Sequence, residues 1–432
     1  MKTPALITLV IFSLSLMAKT KITWWHAMGG KRSQTIGELA SKFNSFQNDY
    51  ELEVIYRGNY TETLNASIAA YRGKKQPHIV QVFEVGTMTM MKSGAIYPIY
   101  KLFSDNNISV NLDDYLKPVL SYYEDNQGRL FSMPFNSSTP IMYANLDILK
   151  TANIVNPAQT WEELYVHMDK IAKTGKCGLT VGWQSWVLLE NFSAIHKIPF
   201  ADKGNGFSGF ASTLKINNEL VASNIQQLKN KMSSGGFSYE GRRSDASRNA
   251  FIGKKCAYYM DSSSNLASIK KLAQFSWNAN PMPYLKSFKP QNSIIGGATL
   301  WVYKGHSAKE YQGVAKFMKF LGQADIQAWW HKETGYLPIS LGAYKGLKKN
   351  GYYIKEKNQE IAIKQLTRAN PTEYSRGLRL GSFTQIRDVL NEQFEKIWAG
   401  TVTVSEGLEF AEKRSNALLK RYKRTQKRKN KK

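Results

Sequence analysis

Hydroxyl, amide, glycine and aromatic residues, with few acids, recur in the polar loops of this chain. The stretches RGNY, FEVG, NSSTP, MDSSSN, IIGGA, TGYLP and TQIR offer Tyr60, Glu84, Ser138, Ser262, Gly297, Tyr336 and Arg387. An arginine can hold a phosphate through two parallel hydrogen bonds, to which hydroxyls add others. Glycine lets backbone N–H groups approach an anion, and one carboxylate can accept from ligand hydroxyls. Each residue alone is more often a turn residue, but together they supply what a small polyol phosphate needs.

Catalytic signatures are missing from the sequence. It contains no G-x-S-x-G elbow, no phosphate-binding loop of the G-x-x-x-x-G-K-[ST] type and no H-E-x-x-H pair. The six histidines are isolated along the chain, and Glu84 is almost the only acid at the polar loops. The sequence therefore predicts neither an enzyme nor a metal site, and it implies no cofactor.

The elements that must position these loops alternate between strand and helix. Residues 21–26 form a predicted strand before a glycine loop, and apolar residues at helical spacing follow from Ile36 to Phe46. Residues 50–56 alternate as a half-buried strand, a second helix follows, and HIVQVF at 78–83 forms a buried strand. This order is typical of an open α/β sheet, where ligands bind at the carboxyl ends of strands. A second α/β unit begins after Pro140, with a capping box at Thr160.

Length and the first residues add two expectations. A chain of 432 residues exceeds what one core normally covers, so two lobes are expected. Residues 1–18 combine an early lysine, an apolar run of about fifteen residues and a small residue at Ala18, which is typical of a signal peptide. We therefore expect export to the periplasm of a Gram-negative cell.

Charge and cysteines leave two questions open. The net charge is +26, and residues 420–432 carry nine lysines and arginines without an acid. Such a run is most often a solvated, frayed end, although it could approach an anionic membrane; no aromatic–basic pattern favours nucleic acid. An oxidising compartment would permit a disulfide between Cys177 and Cys256, but sequence alone does not show that the two thiols meet.

Several longer stretches together resemble a known family. They are RGNYTETLNASIAAYRG, QVFEVGTMTMM, PFNSSTPIMYAN, TWEEL, GWQSWVLLENFSA, IIGGATLWV, KETGYLPI and GLRLGSFTQIR. They run in order over nearly the whole chain after the leader. By these motifs the chain resembles the periplasmic solute-binding proteins of bacterial ABC importers.

The resemblance implies a two-lobed α/β fold with a ligand cleft and three hinge crossings. The N-terminal lobe would comprise 19–135 and 293–333, and the C-terminal lobe 136–292 and 334–419, followed by the basic tail 420–432. The crossings would lie near Asn136, Ser293 and Thr334, so the hydroxyls of FNSSTP would face the cleft. We expect a monomer that delivers its ligand to the permease subunits and ATPase of an importer.

The resemblance also implies a ligand and its contacts. The ligand would be sn-glycerol 3-phosphate, and also glycerophosphodiesters such as glycerophosphocholine. Glu84 would hold the glycerol hydroxyls, and Trp161 would pack against the glycerol carbons. The remaining contacts would be Tyr60 and Ser138, with Ser262, the Gly297 amide, Tyr336 and Arg387 at the phosphate.

One residue and two alternatives qualify this assignment. Asp261 adds a negative charge beside the serine turn; it would be harmless if it pointed away from the ligand and would weaken anion binding if it faced the cleft. The same fold could bind an uncharged oligosaccharide, since tryptophans are plentiful, although the shortage of carboxylates argues against it. A glycerophosphodiester hydrolase in the same cleft would lack paired acids or metal ligands.

Overall fold

Two mixed β-sheets organise the computed structural model, which describes residues 18–210 and 212–429. The strands in chain order are β1 (Thr20–His26), β2 (Tyr50–Tyr56), β3 (Ile79–Phe83), β4 (Met133–Ser138), β5 (Pro140–Asn145), β6 (Cys177–Val181), β7 (Phe237–Ser238), β8 (Cys256–Ser262), β9 (Trp277–Asn280) and β10 (Gly296–Val302). The first sheet has the order β2-β1-β3-β10-β4, and the second has the order β7-β6-β8-β5-β9. The predicted leader lies, apart from Ala18, outside the described residues.

Helices cover the faces of these sheets. In chain order they are α1 (Lys31–Phe46), α2 (Tyr60–Arg72), α3 (Thr87–Met91), α4 (Ile99–Asp105), α5 (Lys117–Tyr123), α6 (Leu146–Thr151), α7 (Trp161–Ala172), α8 (Phe192–Ile195), α9 (Asp202–Asn205), α10 (Glu219–Ser233), α11 (Ser244–Ile252), α12 (Leu266–Leu272), α13 (Ala308–Leu321), α14 (Ala324–Thr334), α15 (Leu341–Lys349), α16 (Tyr352–Lys355), α17 (Lys357–Leu366), α18 (Phe383–Ala399) and α19 (Val404–Lys429). Short 3₁₀ turns at Glu84–Gly86 and Ser263–Asn265 and a π-helical turn at Trp186–Asn191 complete the elements that reach the site.

Local sequence signals explain the first half of the fold. β1 pairs in parallel with β2 and with β3, and α1 and α2 connect these strands, as the alternation predicted. Ile36, Leu39 and Phe43 bury the predicted apolar face of α1. Thr160 and Glu163 form the predicted capping box at the start of α7, so each satisfies a free N–H group of that helix end. The α/β fold class is confirmed, and β10, which is antiparallel to both of its neighbours, joins β3 to β4 in the first sheet.

The chain passes from the first sheet to the second at Thr139, between β4 and β5. The Thr139 hydroxyl lies 2.7 Å from Ser293 Oγ and 2.8 Å from the carbonyl oxygen of Ile294. The N–H of Leu337 donates to the carbonyl of Ser137 at 2.8 Å. The segment of residues 137–139 is therefore hydrogen-bonded to segments at both of the other predicted crossings. The lobe boundaries given above stay predictions.

The basic C-terminal segment differs from the frayed end expected from its charge. α19 continues through residues 420–429, and its apolar side packs against the protein: Leu419 and Gln426 are buried. The hydroxyl of Tyr422 donates to the carbonyl of Met88 at 3.2 Å. The helix is amphipathic: its lysines and arginines from 420 to 428 are exposed, while Leu419, Tyr422 and Gln426, spaced three or four residues apart, lie against the rest of the protein.

Cys177 and Cys256 form a disulfide, which the sequence had left open. The two residues are direct partners in the parallel pairing of β6 with β8. Both are buried. Within residues 18–210 and 212–429, no helix combines the length and apolar character needed to cross a bilayer.

Candidate functional site

A cleft between the two sheets holds most of the polar loops identified above. Its empty space is about 530 Å³, part of it open to solvent. The lining residues are Arg32, Tyr60, Phe83, Glu84, Ser138, Trp183, Trp186, Ser262, Ser264, Gly296, Gly297, Tyr336 and Arg387. Seven of the eight residues expected to bind a ligand are therefore brought together, and Trp161 is the exception. That these seven bind a ligand stays a prediction.

Tyr60, Ser138 and Gly297 form the part of the cleft that rests on the first sheet. The Tyr60 hydroxyl accepts a hydrogen bond from Asn136 Nδ2 at 2.8 Å, and its ring stacks on Phe83. Burial raises the pKa of Tyr60 well above its ordinary value, so the hydroxyl keeps its proton. Gly297 has φ of +92°, and a Cβ there would lie 2.0 Å from the carbonyl oxygen of Asn136. Only glycine fits this approach of two strands.

Arg387 is held by two carboxylates at the base of the cleft. Its Nε and Nη2 donate to the two carboxylate oxygens of Glu190, each at 2.7 Å, and Nη2 also lies 2.7 Å from Oε1 of Glu84. Burial would lower the pKa of Arg387, but Glu190 and Glu84 outweigh it and raise that pKa. Burial raises the pKa of Glu84 above its ordinary value, against the opposing effect of Arg387. The arginine expected to meet phosphate is thus already paired within the protein.

The serine turn after β8 supplies the second lobe's polar groups. Ser262 caps the turn: its Oγ accepts from the N–H of Ser264 at 3.2 Å and lies 2.8 Å from Ser264 Oγ. Asp261 is fully buried and accepts from the hydroxyl of Tyr259 at 2.6 Å and from the N–H of Ser262. Its carboxylate is therefore held by its own lobe. Burial raises the pKa of Asp261 to about 6.

Aromatic side chains close the walls of the cleft. Trp186 lies against Gly296, where a Cβ would come within 2.3 Å of the indole ring. Its Nε1 donates to the carbonyl of Ile295 at 3.4 Å. Tyr336 stacks on Trp330 with nearly parallel rings. These flat surfaces suit packing against the CH groups of a polyol.

The structure corrects the position assigned to Trp161. Its indole is 1% exposed, lies in the core of the second lobe and contacts the rings of Tyr165 and Phe192. As the first residue of α7 after the Thr160 cap, it points into the core and not into the cleft. The tryptophan that lines the cleft is Trp186, with Trp183 beside it.

The sequence did not predict several residues that line the cleft or hold its lining in place. The sequence indicates Trp183 and Trp186 only through its general abundance of tryptophan, and Glu190 follows them in the same GWQSWVLLEN stretch. Its polar and aromatic residues beside a predicted strand end were a usable signal. Arg32 gave no signal, because it lies in an ordinary amphipathic helix.

Two histidines that are distant in sequence lie together outside the cleft. The rings of His78 and His306 stack with centroids 3.9 Å apart, and Glu310 lies beside them. The N–H of Thr23 donates to Nδ1 of His78 at 3.0 Å, so the ring proton belongs on Nε2, which faces Glu310 at 3.2 Å. In this tautomer Nε2 carries its proton towards the Glu310 carboxylate and has no lone pair to offer a metal ion. We therefore assign the cluster a structural role.

Two sheets joined by crossing segments, with a polar cleft between them, define a solute-binding protein. The chain belongs to the bacterial extracellular solute-binding protein family, whose model matches residues 38–356. It is 42% identical over 422 residues to the sn-glycerol-3-phosphate-binding periplasmic protein UgpB of Yersinia pseudotuberculosis serotype I. Identity to the protein of the same name from Salmonella typhimurium is also 42%, and in both cases 96% of each chain is covered.

Solved structures agree on the fold. UgpB from Mycobacterium tuberculosis in complex with glycerophosphocholine superposes with a TM-score of 0.79 at 21% identity, covering 94% of this chain and 99% of that one. The cyclic alpha-maltosyl-1,6-maltose binding protein of Arthrobacter globiformis gives a TM-score of 0.74 at 19% identity, covering 94% and 100%. These likenesses confirm the two-lobed architecture.

Proposed function

We propose that this protein is a periplasmic receptor that captures sn-glycerol 3-phosphate, and also glycerophosphodiesters such as glycerophosphocholine, for an ABC importer. The observation that carries the proposal is the gathering of Tyr60, Ser262, Gly297, Tyr336 and Arg387 around one cleft. The relatives named for sn-glycerol 3-phosphate, matched over 96% of the chain, support the same ligand. The Cys177–Cys256 disulfide supports an oxidising compartment.

Within this proposal the ligand would meet hydroxyls, backbone amides and arginine donors. Arg387 bonds its carboxylate partners through Nε and Nη2, and among the described residues none accepts a hydrogen bond from Nη1. Two N–H groups of the guanidinium thus remain for a phosphate oxygen. Glu84 retains a second carboxylate oxygen for glycerol hydroxyls. The receptor performs no chemistry: closure traps the ligand, and the closed form docks on the permease.

Calorimetric titration of the purified protein tests the proposal. sn-Glycerol 3-phosphate, glycerophosphocholine, glycerol and maltose are added in parallel. Saturable one-to-one binding of the first two, with no heat from glycerol or maltose, is the expected result. Maltose binding alone would move the ligand to the uncharged oligosaccharides, and turnover of glycerophosphocholine, followed by phosphorus NMR, would contradict a pure receptor.

A further inference from the structure

Arg32 reaches across the cleft from one lobe to the other. It is the second residue of α1, the helix that packs on the first sheet. Its Nη2 donates to the carbonyl oxygen of Ser264 at 3.1 Å and lies 3.3 Å from the Ser264 hydroxyl. Ser264 belongs to the serine turn after β8 of the second sheet. One arginine from the first lobe is therefore bonded to the serine turn of the second.

Arg32 differs from Arg387 in having no carboxylate partner among the described residues. The positive charge of Arg387 is matched by Glu84 and Glu190, both at 2.7 Å. Arg32 bonds only neutral groups of Ser264, and no carboxylate of the described residues lies within 4.0 Å of its guanidinium. Its other near neighbour is the ring of Tyr336, whose centroid lies 5.5 Å away. Arg32 is thus the cationic group in the cleft lining whose charge the protein itself leaves unmatched.

The nearest acid of the turn does not alter this balance. Asp261 is fully buried and engaged by Tyr259 and by the backbone of Ser262. It attracts Arg32 only at longer range. A ligand anion in the cleft would therefore meet a guanidinium that lacks a counter-charge and is already bonded to Ser264.

We infer that Arg32 is a further ligand-binding residue, which provides the main unmatched positive charge for the ligand's phosphate and couples its binding to closure of the cleft. The inference rests on the proposed function. Nη2 holds the second lobe through Ser264, while Nε and Nη1 remain as planar donors for phosphate oxygens. An anion that bonds Arg32 and the serine turn together stabilises the closed arrangement. The ligand class favoured is a phosphomonoester dianion.

The test compares four proteins by calorimetry with sn-glycerol 3-phosphate: wild type, Arg32→Gln, Arg32→Lys and Arg243→Gln. Arg243 is an exposed arginine at the outer mouth of the cleft, so its variant loses the same charge without touching the inner lining. Arg32→Gln should weaken binding at least tenfold, Arg32→Lys should recover part of the loss, and Arg243→Gln should stay within twofold of wild type. Ligand-free melting temperatures serve as the check on folding.

Glycerophosphocholine distinguishes a charge effect from a structural one. Its diester carries one negative charge, whereas the monoester carries nearly two at neutral pH. The loss in Arg32→Gln should therefore be larger for sn-glycerol 3-phosphate, and an equal loss for both ligands would overturn the inference. So would binding by Arg32→Gln within twofold of wild type. A wild-type protein that binds no phosphate ester would overturn the proposed function as well, which separates the two failures.

Discussion

Nη2 of Arg387 lies 2.7 Å from Oε1 of Glu84, although the two residues are 303 positions apart in the chain. The family resemblance assigned them to opposite ends of a ligand, the glutamate to glycerol and the arginine to phosphate. With Glu190 they form a buried group of two acids and one base. Under the proposed function a ligand phosphate would lie beside this group and add further negative charge, so we expect the pairing to affect both stability and affinity.

Replacing Arg387 by methionine should destabilise the protein strongly. The change leaves Glu84 and Glu190 buried without their cation, and stranding buried charges costs about 3 to 5 kcal/mol. Urea unfolding followed by circular dichroism measures the loss at pH 7. The loss should shrink toward pH 5, because burial raises the pKa of Glu84 and, without Arg387, its carboxylate can take up a proton. The double variant Arg387→Met with Glu190→Gln is the matched control and should recover part of the stability; a single variant as stable as wild type would contradict the pairing.

Replacing each of two tryptophans by phenylalanine tests which indole contacts the ligand. Trp186→Phe should weaken binding of sn-glycerol 3-phosphate roughly fivefold, because the smaller ring covers less of the ligand's CH groups. Trp161→Phe should leave affinity within twofold of wild type, since this indole is buried in the lobe core. Calorimetry gives both affinities. The opposite pattern would restore Trp161 to the site.

The sequence was informative where a local pattern determines the outcome. Hydroxyls directly before the β5 strand marked the passage at Thr139, and the Thr160 capping box follows from residue types three positions apart. Trp161 was misplaced because a motif gives the residue but not the direction of its side chain. Arg32 and the Arg387–Glu84 pair were not predictable, since both depend on contacts between segments more than two hundred residues apart.

Asp261 should make stability depend on pH. Burial raises its pKa to about 6 in the folded protein, from 3.8 in a free side chain. Between pH 3.8 and about 6 the folded protein keeps a proton on Asp261 that the unfolded chain has lost. The contribution of this protonated carboxyl to stability is therefore fully present below pH 4 and is lost as pH rises through 6. The stability of wild type relative to Asp261→Asn should fall by up to about 3 kcal/mol from pH 4 to pH 7.

Urea unfolding at several pH values, with wild type and Asp261→Asn in parallel, gives this difference. Asp113→Asn is a suitable control, since Asp113 is an exposed acid that does not line the cleft. Its stability should follow that of wild type across the range. A constant difference between wild type and Asp261→Asn would show that the buried carboxyl does not titrate in this interval.

The disulfide should stabilise the second lobe without taking part in binding. Cys177 and Cys256 are 79 residues apart, and closing a loop of that length removes chain entropy worth about 4 kcal/mol from the unfolded state. The double variant Cys177→Ala with Cys256→Ala should therefore unfold at lower urea concentration. Its affinity for sn-glycerol 3-phosphate should stay within twofold of wild type, because neither residue lines the cleft.

Reduction provides an independent check on the same bond. Both cysteines are buried, so the wild-type protein is reduced in denaturant and refolded with the reductant present, and free thiols are counted by mass spectrometry after alkylation. The reduced wild type should unfold at the same urea concentration as the double variant, on which the reductant should have no effect. If fully reduced wild type unfolds at the same urea concentration as the oxidised protein, the disulfide adds no stability, and the pairing of β6 with β8 is sufficient to hold the second lobe together.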